Sequence, residues 1–515
     1  MDDSRAWRQA LAILAGTTLL RLVVGAIVPL FPDETYYWDW SRTLKTGYFD
    51  HPPMIAVLIR AGTAIFGYRP LGVRFFPILA GAGAALGITL TARELAGGAA
   101  ARLATLAFAC LPIAAVGLVL ATPDSPMLCA VAWAMYFVVR ALNDPPDRGT
   151  RQVLVWWLAA GVAIGLAMTS KYTSVLFPVA IALAFIGHPR LQNKFGEAGP
   201  YLAVAVASLV LAPVLWWNAT HDWVSFRFQL GHGLGPVRGG ALGALTREAE
   251  LIGGQIGLVS PILFYFAVRA VGRAFEAAPD GVRNTLALVS ACCAAFFIFS
   301  ATRRPVEANW PAIAYLPAVV LLATDPPDSP RRVRWLNYGL GLGALLSLII
   351  LTHALFPILP VPGDKDQIAK AFGWELLAHK LEQRRQSVTS RAAFAKNDLY
   401  FAAERYQDAS EVAFHLAGHP RVFSLNLVGR PNQYDLWGTF PERAAGGAAL
   451  LLVLDDERSE PRVIHKLACC FQSIDQGENV ALVRGDNVAA RKRLWFLQGW
   501  NGTWPRRDQP FPWTD

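Results

Sequence analysis

Two acidic residues directly after the first long apolar run of this chain have the chemistry of a proton-accepting site. Asp33 and Glu34 follow Pro32 and precede the aromatic residues Tyr36 and Tyr37. A carboxylate at a partly dry membrane boundary can have a raised pKa and take a proton from an attacking hydroxyl group, which is general-base catalysis. The structural alternative is a helix start, since Asp beside Pro is common there, with the aromatic residues as an interfacial belt. Both interpretations can hold together because a helix N-terminus also attracts anionic groups.

An Asp-His-Pro-Pro turn at residues 50–53 is the second candidate. The prolines restrict the backbone around His51. As an imidazolium, His51 can bind phosphate, and as a neutral ring it can ligate a metal ion together with Asp50. The structural alternative is that it caps a helix that re-enters the membrane. A divalent cation is therefore a candidate cofactor, although the sequence requires none.

Further charged residues lie in very short connections between apolar segments. Asp124 either caps the next helix or supplies a carboxylate that holds a divalent cation or orients an acceptor, since hard cations prefer oxygen ligands. Lys171 either extends its amine to the membrane surface or binds phosphate. Phosphate binding is favoured because Lys171 lies on the side of the membrane opposite to most other basic residues, against the positive-inside rule. Arg303 and Arg304 depart from it in the same way, and their planar guanidinium groups suit an anionic donor.

The composition places most of the chain in lipid. Of 515 residues, 54% are hydrophobic and only 17% are charged, whereas soluble domains carry about 25% charged residues. The net charge of +9 comes from short basic clusters between apolar runs, which is typical of membrane-protein loops and argues against a nucleic-acid partner. The six cysteines form no CxxC motif, so neither a disulfide framework nor a thiolate zinc site is indicated.

Apolar segments recur along the first two thirds of the chain and predict about eleven transmembrane helices. Pro112 and Pro261 are points at which a helix can break. Several segments are rich in Gly and Ala, which suits close packing of helices in lipid. The segments are 9–30, 70–92, 103–121, 125–142, 153–169, 173–187, 199–217, 251–270, 284–301, 309–323 and 335–356.

The character of the sequence changes near residue 360. Residues 1–360 are predicted to form a transmembrane catalytic domain with external loops, and residues 361–515 a soluble α/β domain. In the second domain, Val422–Leu425 and Ala449–Leu454 are predicted strands, and 366–384 is a predicted helix.

The basic residues predict an orientation in the membrane. If the N-terminus is cytoplasmic, every cytoplasmic connection carries Lys or Arg, as the positive-inside rule requires. An odd number of spans then places the C-terminal domain outside the cytoplasm. The residues concerned are Arg93, Arg102, Arg140, Arg148, Arg151, Arg190, Lys194, Arg269, Arg273, Arg283, Arg331, Arg332 and Arg334.

The same orientation gathers other charged residues on the external side. Ionisable residues at a membrane edge tend to mark substrate paths or catalytic sites. We therefore predict a polar site at the outer membrane–water boundary. The Gly-rich stretch 231–243, on the same side, has no phosphate-loop pattern and is predicted to be a flexible lid. The charged residues are Asp33, Glu34, Asp124, Lys171, Asp222 and Glu307.

With these motifs the chain resembles integral-membrane glycosyltransferases of the GT-C fold. More narrowly, it is similar to bacterial family 39 enzymes of the protein-mannosyltransferase-like and 4-amino-4-deoxy-L-arabinose-transferase-like groups. The resemblance rests on Asp33-Glu34, Asp-His-Pro-Pro, Thr-Pro-Asp, Ser-Lys-Tyr-Thr and Glu307-Ala-Asn-Trp310, and covers approximately residues 7–360. It implies a polytopic α-helical membrane protein with an active site at the outer face of the bacterial inner membrane. The implied reaction is an inverting transfer of a sugar from a polyprenyl-phosphate donor to an envelope glycolipid, the lipid A or core of lipopolysaccharide.

The resemblance also implies roles for the candidate residues. Asp33 matches the family's catalytic acidic position, and Glu34 and Asp124 are the other catalytic candidates. Where the arabinose transferases carry Glu-Lys and Arg, this chain has Asp50-His51 and Tyr36, which leaves room for another sugar, such as galacturonic acid, as in related rhizobial transferases. The candidates for binding the donor phosphate are His51, Lys171, Arg303 and Arg304, and those for binding substrate are Tyr36, Tyr37, Glu307 and Asn309.

Two other functions remain open at this point. The acceptor can be a protein, as in O-mannosylation, with the same fold. Alternatively, the chain is a non-catalytic transporter of lipid-linked sugars, although it lacks the internal repeat and the midplane charges typical of transporters. A C-terminal segment, Arg430-Pro-Asn-Gln-Tyr-Asp-Leu-Trp437, is similar to one in the His-Pro-Pro subgroup, and the sequence assigns it no role.

Overall fold

The computed structural model describes residues 2–143, 150–237, 239–276, 280–390, 399–455 and 460–509. The chain divides into two compact units. The first, which we call the membrane unit, comprises Met1–Ile27 and Leu44–Thr352, and the second, the C-terminal unit, comprises Val28–Thr43 and His353–Asp515. The predicted division into domains 1–360 and 361–515 stays a prediction. The C-terminal unit also takes in the short segment that carries Asp33 and Glu34.

The helices in the described part of the chain are numbered here in chain order. They are α1 Asp3–Ile27, α2 Pro32–Ser41, α3 Met54–Phe66, α4 Pro70–Ala109, α5 Pro112–Gly117, α6 Asp124–Asn143, α7 Thr150–Met168, α8 Leu176–Gly187, α9 Ala198–Ala219, α10 Val224–Leu234, α11 Gly240–Val259, α12 Pro261–Glu276, α13 Gly281–Arg303, α14 Ala312–Thr324, α15 Pro330–Leu355, α16 Trp374–Thr389, α17 Tyr406–His415, α18 Phe440–Arg443 and α19 Glu460–Leu467.

Fewer described helices of the membrane unit meet the length and apolarity of a full span than the sequence predicts. Within the described residues, seven helices are long and apolar enough to cross a bilayer, or eight if α11 and α12, which meet at a 102° bend, form one span. The apolar helices α3 and α14 are shorter, as is the Tyr172–Gly187 segment that includes α8. The count of about eleven is therefore not confirmed. Helices do begin at Pro112 and Pro261, the two predicted break points.

Small residues bring the helices of the membrane unit close together. A long cluster of buried Ala, Val and Leu side chains runs between α4, α6, α7, α9, α13 and α14. At Gly161 on α7, a Cβ atom would lie 2.6 Å from the carbonyl oxygen of Ala203 on α9, so only glycine permits this approach. Close backbone packing of this kind stabilises helix pairs in lipid.

The C-terminal unit is built on a five-stranded sheet in the order β2-β1-β3-β5-β4. Strands β2, β1 and β3 are parallel, whereas β5 is antiparallel to both β3 and β4. Every residue of β3 is buried, as its continuous apolar sequence predicts for a central strand. The strands are β1 Leu399–Ala403, β2 Val422–Ser424, β3 Ala449–Asp455, β4 Phe471–Arg484 and β5 Asn487–Trp500.

The predicted helix at 366–384 is wrong at its N-terminal end. Only Ile368–Ala371 forms a short 3₁₀ helix there, and α16 begins at Trp374. Gly373 separates the two with φ +88°, and a Cβ on it would lie 2.7 Å from the Cα of Leu482. The close packing of β4 against this residue requires a glycine, which interrupts the helix.

Candidate functional site

A buried ion pair lies where several helices of the membrane unit end. Lys171 follows the C-terminus of α7, and its ammonium group donates a hydrogen bond of 2.7 Å to Oδ1 of Asp124, the first residue of α6. Asn309, between α13 and α14, donates to Oδ2 of the same carboxylate at 2.6 Å. Asp124 and Lys171 are only 7% and 5% exposed. The structure thus brings together three of the predicted site residues.

This pairing rules out one of the two alternatives that the sequence left open for Lys171, and phosphate binding stays a prediction. The amine does not extend to the membrane surface, because it is buried against Asp124. A charge in this environment needs a partner, since an isolated ion in a low-dielectric region is costly. Asn309 holds the second oxygen of the carboxylate, which fixes its orientation. The cluster therefore presents a cation at a defined position beside the ends of α6 and α7.

Trp310 connects this cluster to α10. Its ring lies 5.9 Å from the Lys171 ammonium group and 5.5 Å from the ring of His232 on α10. The ring of Trp310 also approaches that of Phe297, with 6.4 Å between ring centroids. Neither His232 nor Trp310 is among the site residues predicted from the sequence.

Phe297 also lines an apolar cavity of about 260 Å³ between α11, α12, α13 and α14. Pro311, next to Trp310, is part of the same wall. Apart from Gln255, Ser290 and Tyr315, the lining is hydrocarbon and aromatic ring. The cavity can therefore hold an apolar chain. It begins beside Trp310, whose ring lies close to the Lys171 ammonium group.

The Asp-His-Pro-Pro turn is fixed from two sides. The amide of Met54, just after the turn, donates to the carbonyl of Thr169 at 3.2 Å, which ties the turn to the segment before Lys171. From α10, Gln229 donates its side-chain amide to the Asp50 carbonyl at 2.6 Å and lies 3.5 Å from Nδ1 of His51. In the described part of the chain no group of three or more His, Cys, Asp and Glu side chains is arranged as metal ligands. The metal site at Asp50 and His51 stays a prediction.

The Gly-rich stretch is partly helical in the described residues, with a non-helical connection at 235–237, and the flexible lid stays a prediction. Residues 231–234 complete α10, and 240–243 begin α11. Glycine-rich composition concealed the helices, although Gln229 and His232 are three residues apart and therefore share a helix face. That spacing is the signal with which both residues could have been found.

Arg303 and Arg304 lie at the C-terminus of α13. Arg303 lies over the ring of Phe299 at 5.1 Å. Arg304 packs so closely on Gly235 that a Cβ there would be 2.7 Å from its Nε. That Nε is buried and has no hydrogen-bond acceptor among the described residues. Glu307, a few residues later, is exposed. Neither arginine is joined to the Asp124 cluster by a hydrogen bond that we observe in the described chain.

The acidic pair lies on the first turn of α2, in the C-terminal unit. Asp33 is exposed, whereas Glu34 is buried and its Oε2 accepts a 2.9 Å hydrogen bond from the amide of Phe31. Asp33 therefore lies at a helix start, as the structural alternative predicts, although the N-cap residue is Phe31 and not Asp33. Tyr36 is buried and its hydroxyl accepts from the Gln433 amide at 2.8 Å, while Tyr37 is half-buried.

Comparisons with known proteins agree with this architecture. The family model described as dolichyl-phosphate-mannose-protein mannosyltransferase matches residues 50–217. The lipid A galacturonosyltransferase RgtD of Rhizobium johnstonii is 31% identical over 358 residues, which are 68% of this chain and 71% of that protein.

Two crystal structures of ArnT from Cupriavidus metallidurans show the same fold. The apo form aligns with a TM-score of 0.66 and 16% identity over 96% of this chain and 98% of ArnT. The form bound to undecaprenyl phosphate gives a TM-score of 0.65 and 17% identity over 94% and 97%. The likeness extends over nearly the whole chain, including the C-terminal α/β region, whereas the resemblance seen in the sequence covers only about residues 7–360.

Proposed function

Since the chain belongs to the family of GT-C membrane glycosyltransferases that includes a lipid A galacturonosyltransferase, we propose that it glycosylates an envelope glycolipid. The sugar comes from a polyprenyl-phosphate-linked donor, and the acceptor is the lipid A or core of lipopolysaccharide. The protein is a multi-pass membrane glycosyltransferase. The observation that carries the proposal is the similarity to the rhizobial enzyme over two thirds of both chains.

The proposed location is the bacterial inner membrane, with the reacting residues and the C-terminal unit facing the periplasm. The basic residues of the loops support this orientation through the positive-inside rule. A polyprenyl carrier stays in the bilayer while its headgroup reaches the membrane edge. The apolar cavity beside Trp310 suits part of its hydrocarbon chain.

The departing phosphate is the group that needs stabilisation. As the bond between the sugar C1 and the phosphate oxygen breaks, the electron pair goes to the phosphate, whose added negative charge is stabilised by fixed cations. Lys171 is such a cation, held by Asp124 and Asn309 before any substrate arrives. We propose His51, Arg303 and Arg304 as further contacts of the donor's phosphate. Because polyprenyl phosphate is a good leaving group, no acid catalyst is required.

The attacking hydroxyl group needs a base. We propose that Asp33 takes its proton as the acceptor oxygen bonds to C1 from the face opposite the phosphate, which inverts the anomeric configuration. Its exposure suits this role. Glu34 supports the reaction indirectly, since its buried carboxylate accepts from the Phe31 amide and orders the start of α2. Tyr37, Glu307 and Asn309 remain proposed substrate contacts, whereas the burial of Tyr36 favours a positioning role.

A protein acceptor is the second candidate, favoured by the description of the family model that matches residues 50–217. The two are separated by incubating the purified protein with polyprenyl-phosphate-linked labelled sugars, galacturonic acid first, and with both lipid A and membrane proteins. Label in the glycolipid, absent with Asp33→Asn, is the expected result. Label in protein bands would establish the second candidate. Donor moved across vesicles without transfer would instead establish a transporter.

A further inference from the structure

Helix α2 is held along its whole length by the rest of the C-terminal unit, residues 353–515. At its first turn, the Thr35 hydroxyl lies 3.0 Å from the hydroxyl of Ser410 on α17. In its middle, the buried ring of Trp38 meets Phe414 of α17 edge to face, with 4.9 Å between centroids. At its end, Arg42 donates to the His419 carbonyl at 2.7 Å. These contacts join residues that are nearly four hundred positions apart in the sequence. The position of α2 therefore depends on residues far from it along the chain.

The segment Arg430–Trp437, which the sequence left without a role, provides two more of these contacts. The Gln433 amide donates to the Tyr36 hydroxyl, and the Tyr434 hydroxyl donates to Oδ2 of Asp39 at 2.7 Å. The ring of Tyr434 also stacks on Tyr36 at 6.0 Å. Gln433 and Tyr434 therefore donate to Tyr36 and Asp39, which lie three residues apart on one face of α2.

The segment is itself rigidly built. The side chain of Asn432 accepts from the Tyr434 amide, and Asp435 accepts from the Asn432 amide at 2.8 Å, which closes a short 3₁₀ helix at Gln433–Leu436. Asp435 also pairs with Arg507 at 2.6 Å. A rigid platform transmits its position to α2 better than a mobile loop, because the hydrogen bonds have defined anchors.

Asp39 is the residue of α2 on which the contacts converge. It accepts from Tyr434 on one oxygen and from Arg42 on the other, at 3.0 Å. Burial raises the pKa of Asp39, whereas Arg42 and the Tyr434 hydroxyl act in the opposite direction. Asp39 lies six positions after Asp33, so a rotation of the helix at Asp39 also displaces the acidic pair.

We propose that the Arg430–Trp437 segment is the positioning element of the helix that carries the proton acceptor, with Tyr434 acting through Asp39 to orient Asp33. The catalytic role in this inference rests on the proposed function, whereas the anchoring of α2 does not. The C-terminal unit is then part of the catalytic apparatus, rather than only a cover or an acceptor-binding module. Tyr434 is a positioning residue, since it acts on the reaction through α2.

Tyr434→Phe tests the inference because it removes one hydroxyl and keeps the aromatic stack. The matched control is Tyr400→Phe, which removes a hydroxyl that donates to the Arg443 carbonyl at 3.3 Å in the same unit. Two readouts are needed in the full-length protein. One is hydrogen exchange of the amides in 31–43 by mass spectrometry. The other is the steady-state rate with varied donor.

For Tyr434→Phe we expect faster exchange in 31–43, with the membrane helices unchanged, and a kcat lower by about tenfold with the donor KM within twofold, since misplacement of a catalytic group lowers turnover. Tyr400→Phe should match the wild type in both. Asp39→Ala should lower kcat as well, and the double variant should be no worse than the worse single variant, because both remove the same bond.

Three outcomes overturn the inference: unchanged exchange in 31–43, additive effects of Asp39→Ala and Tyr434→Phe, or a kcat that is retained although exchange rises. If the wild-type protein transfers no sugar to any acceptor, the proposed function fails. In that case the exchange data still decide whether the segment anchors α2, so the two failures are distinguishable.

Discussion

The Asp124–Lys171 pair and helix α2 place charged groups in two different ways. In the membrane unit, both partners are buried, and the carboxylate is held by Lys171 and Asn309. On α2, Asp33 is exposed, and it is the helix beneath it that is fixed, through Asp39, Tyr36 and Thr35. A cation that must meet a phosphate in lipid is stable only with a counter-ion already in place. A base that must meet a hydroxyl group has to stay accessible.

The largest expected effect comes from the exposed side of this comparison. Asp33→Asn removes the proton acceptor and should lower kcat by about 10²- to 10⁴-fold. Glu34→Gln keeps an oxygen that can accept from the Phe31 amide and should be much less severe. Initial rates of the purified variants in one detergent provide the measurement. An equal loss of kcat in the two variants would contradict the proposal that Asp33 is the proton acceptor and that Glu34 only orders the helix.

On the buried side, Lys171→Met should destabilise the protein by about 3–5 kcal/mol, because it leaves the Asp124 carboxylate buried without its cation. Adding Asp124→Asn should restore much of that stability but not donor use. Thermal unfolding and donor affinity are measured on each variant. Lys194→Met is the control, since its pair with Glu197 is more exposed and is worth about 0–1 kcal/mol. A double variant that regained donor use would contradict the phosphate role of Lys171.

The contribution of Glu404 to the stability of the C-terminal unit should fall as the pH rises toward neutrality. Burial raises the pKa of Glu404 from 4.5 to about 7. The folded state therefore binds a proton that the unfolded state has released. The stabilisation that comes from this bound proton is fully present below about pH 4.5 and is lost as the pH rises to about 7. The difference is equivalent to about 3 kcal/mol at most.

Glu404→Gln should remove this dependence, which is measured by unfolding the wild type and the variant at a series of pH values. The comparison has to be made between the two proteins because burial also lowers the pKa of His415 from 6.5 to about 4. The unfolded state then binds the extra proton, which gives a stability slope of the opposite sign over nearly the same pH range. If the difference between wild type and variant were the same at pH 4.5 and pH 7, Glu404 would not be the titrating group.

The smallest effect is expected at the Asp-His-Pro-Pro turn. Gln229→Leu removes the 2.6 Å hydrogen bond to the Asp50 carbonyl. One such bond is worth about 1 kcal/mol, so the apparent donor affinity should fall by about fivefold through looser placement of His51. Gln192→Leu removes a similar bond to the Ile186 carbonyl and is the control. If the donor affinity were equal in both variants, the proposed contact between His51 and the donor phosphate would be contradicted.

Local chemistry was predictable from the sequence, and long-range pairing was not. Asp124 and Lys171 were each recognised as unusual charges, but their bond joins positions 47 apart. Helix α2 was recognised as a candidate site, whereas its Asp39–Tyr434 bond joins positions 395 apart. Periodicity reports burial on a face and not the identity of the residue that covers it. The same limit explains why Tyr36 was predicted to contact substrate although it is buried.

The fold shows the same division. Strand β3 is a continuous apolar run and was predicted within one residue. The long strands β4 and β5 were not predicted, because β4 is at the sheet edge and much of it is exposed and polar. The count of spanning helices is not confirmed because the predicted segment 70–92 and the start of 103–121 lie in the single helix α4. Two others, 173–187 and 309–323, correspond to the short apolar helices α8 and α14, which hydropathy does not distinguish from a full span.

The most direct test of the central claim is the mass spectrum of lipid A and core oligosaccharide from a strain that lacks this protein. The strain is complemented with the wild type or with Asp33→Asn. The account predicts that one sugar mass disappears on deletion and returns only with the wild type. A glycolipid profile that is unchanged by deletion would contradict it.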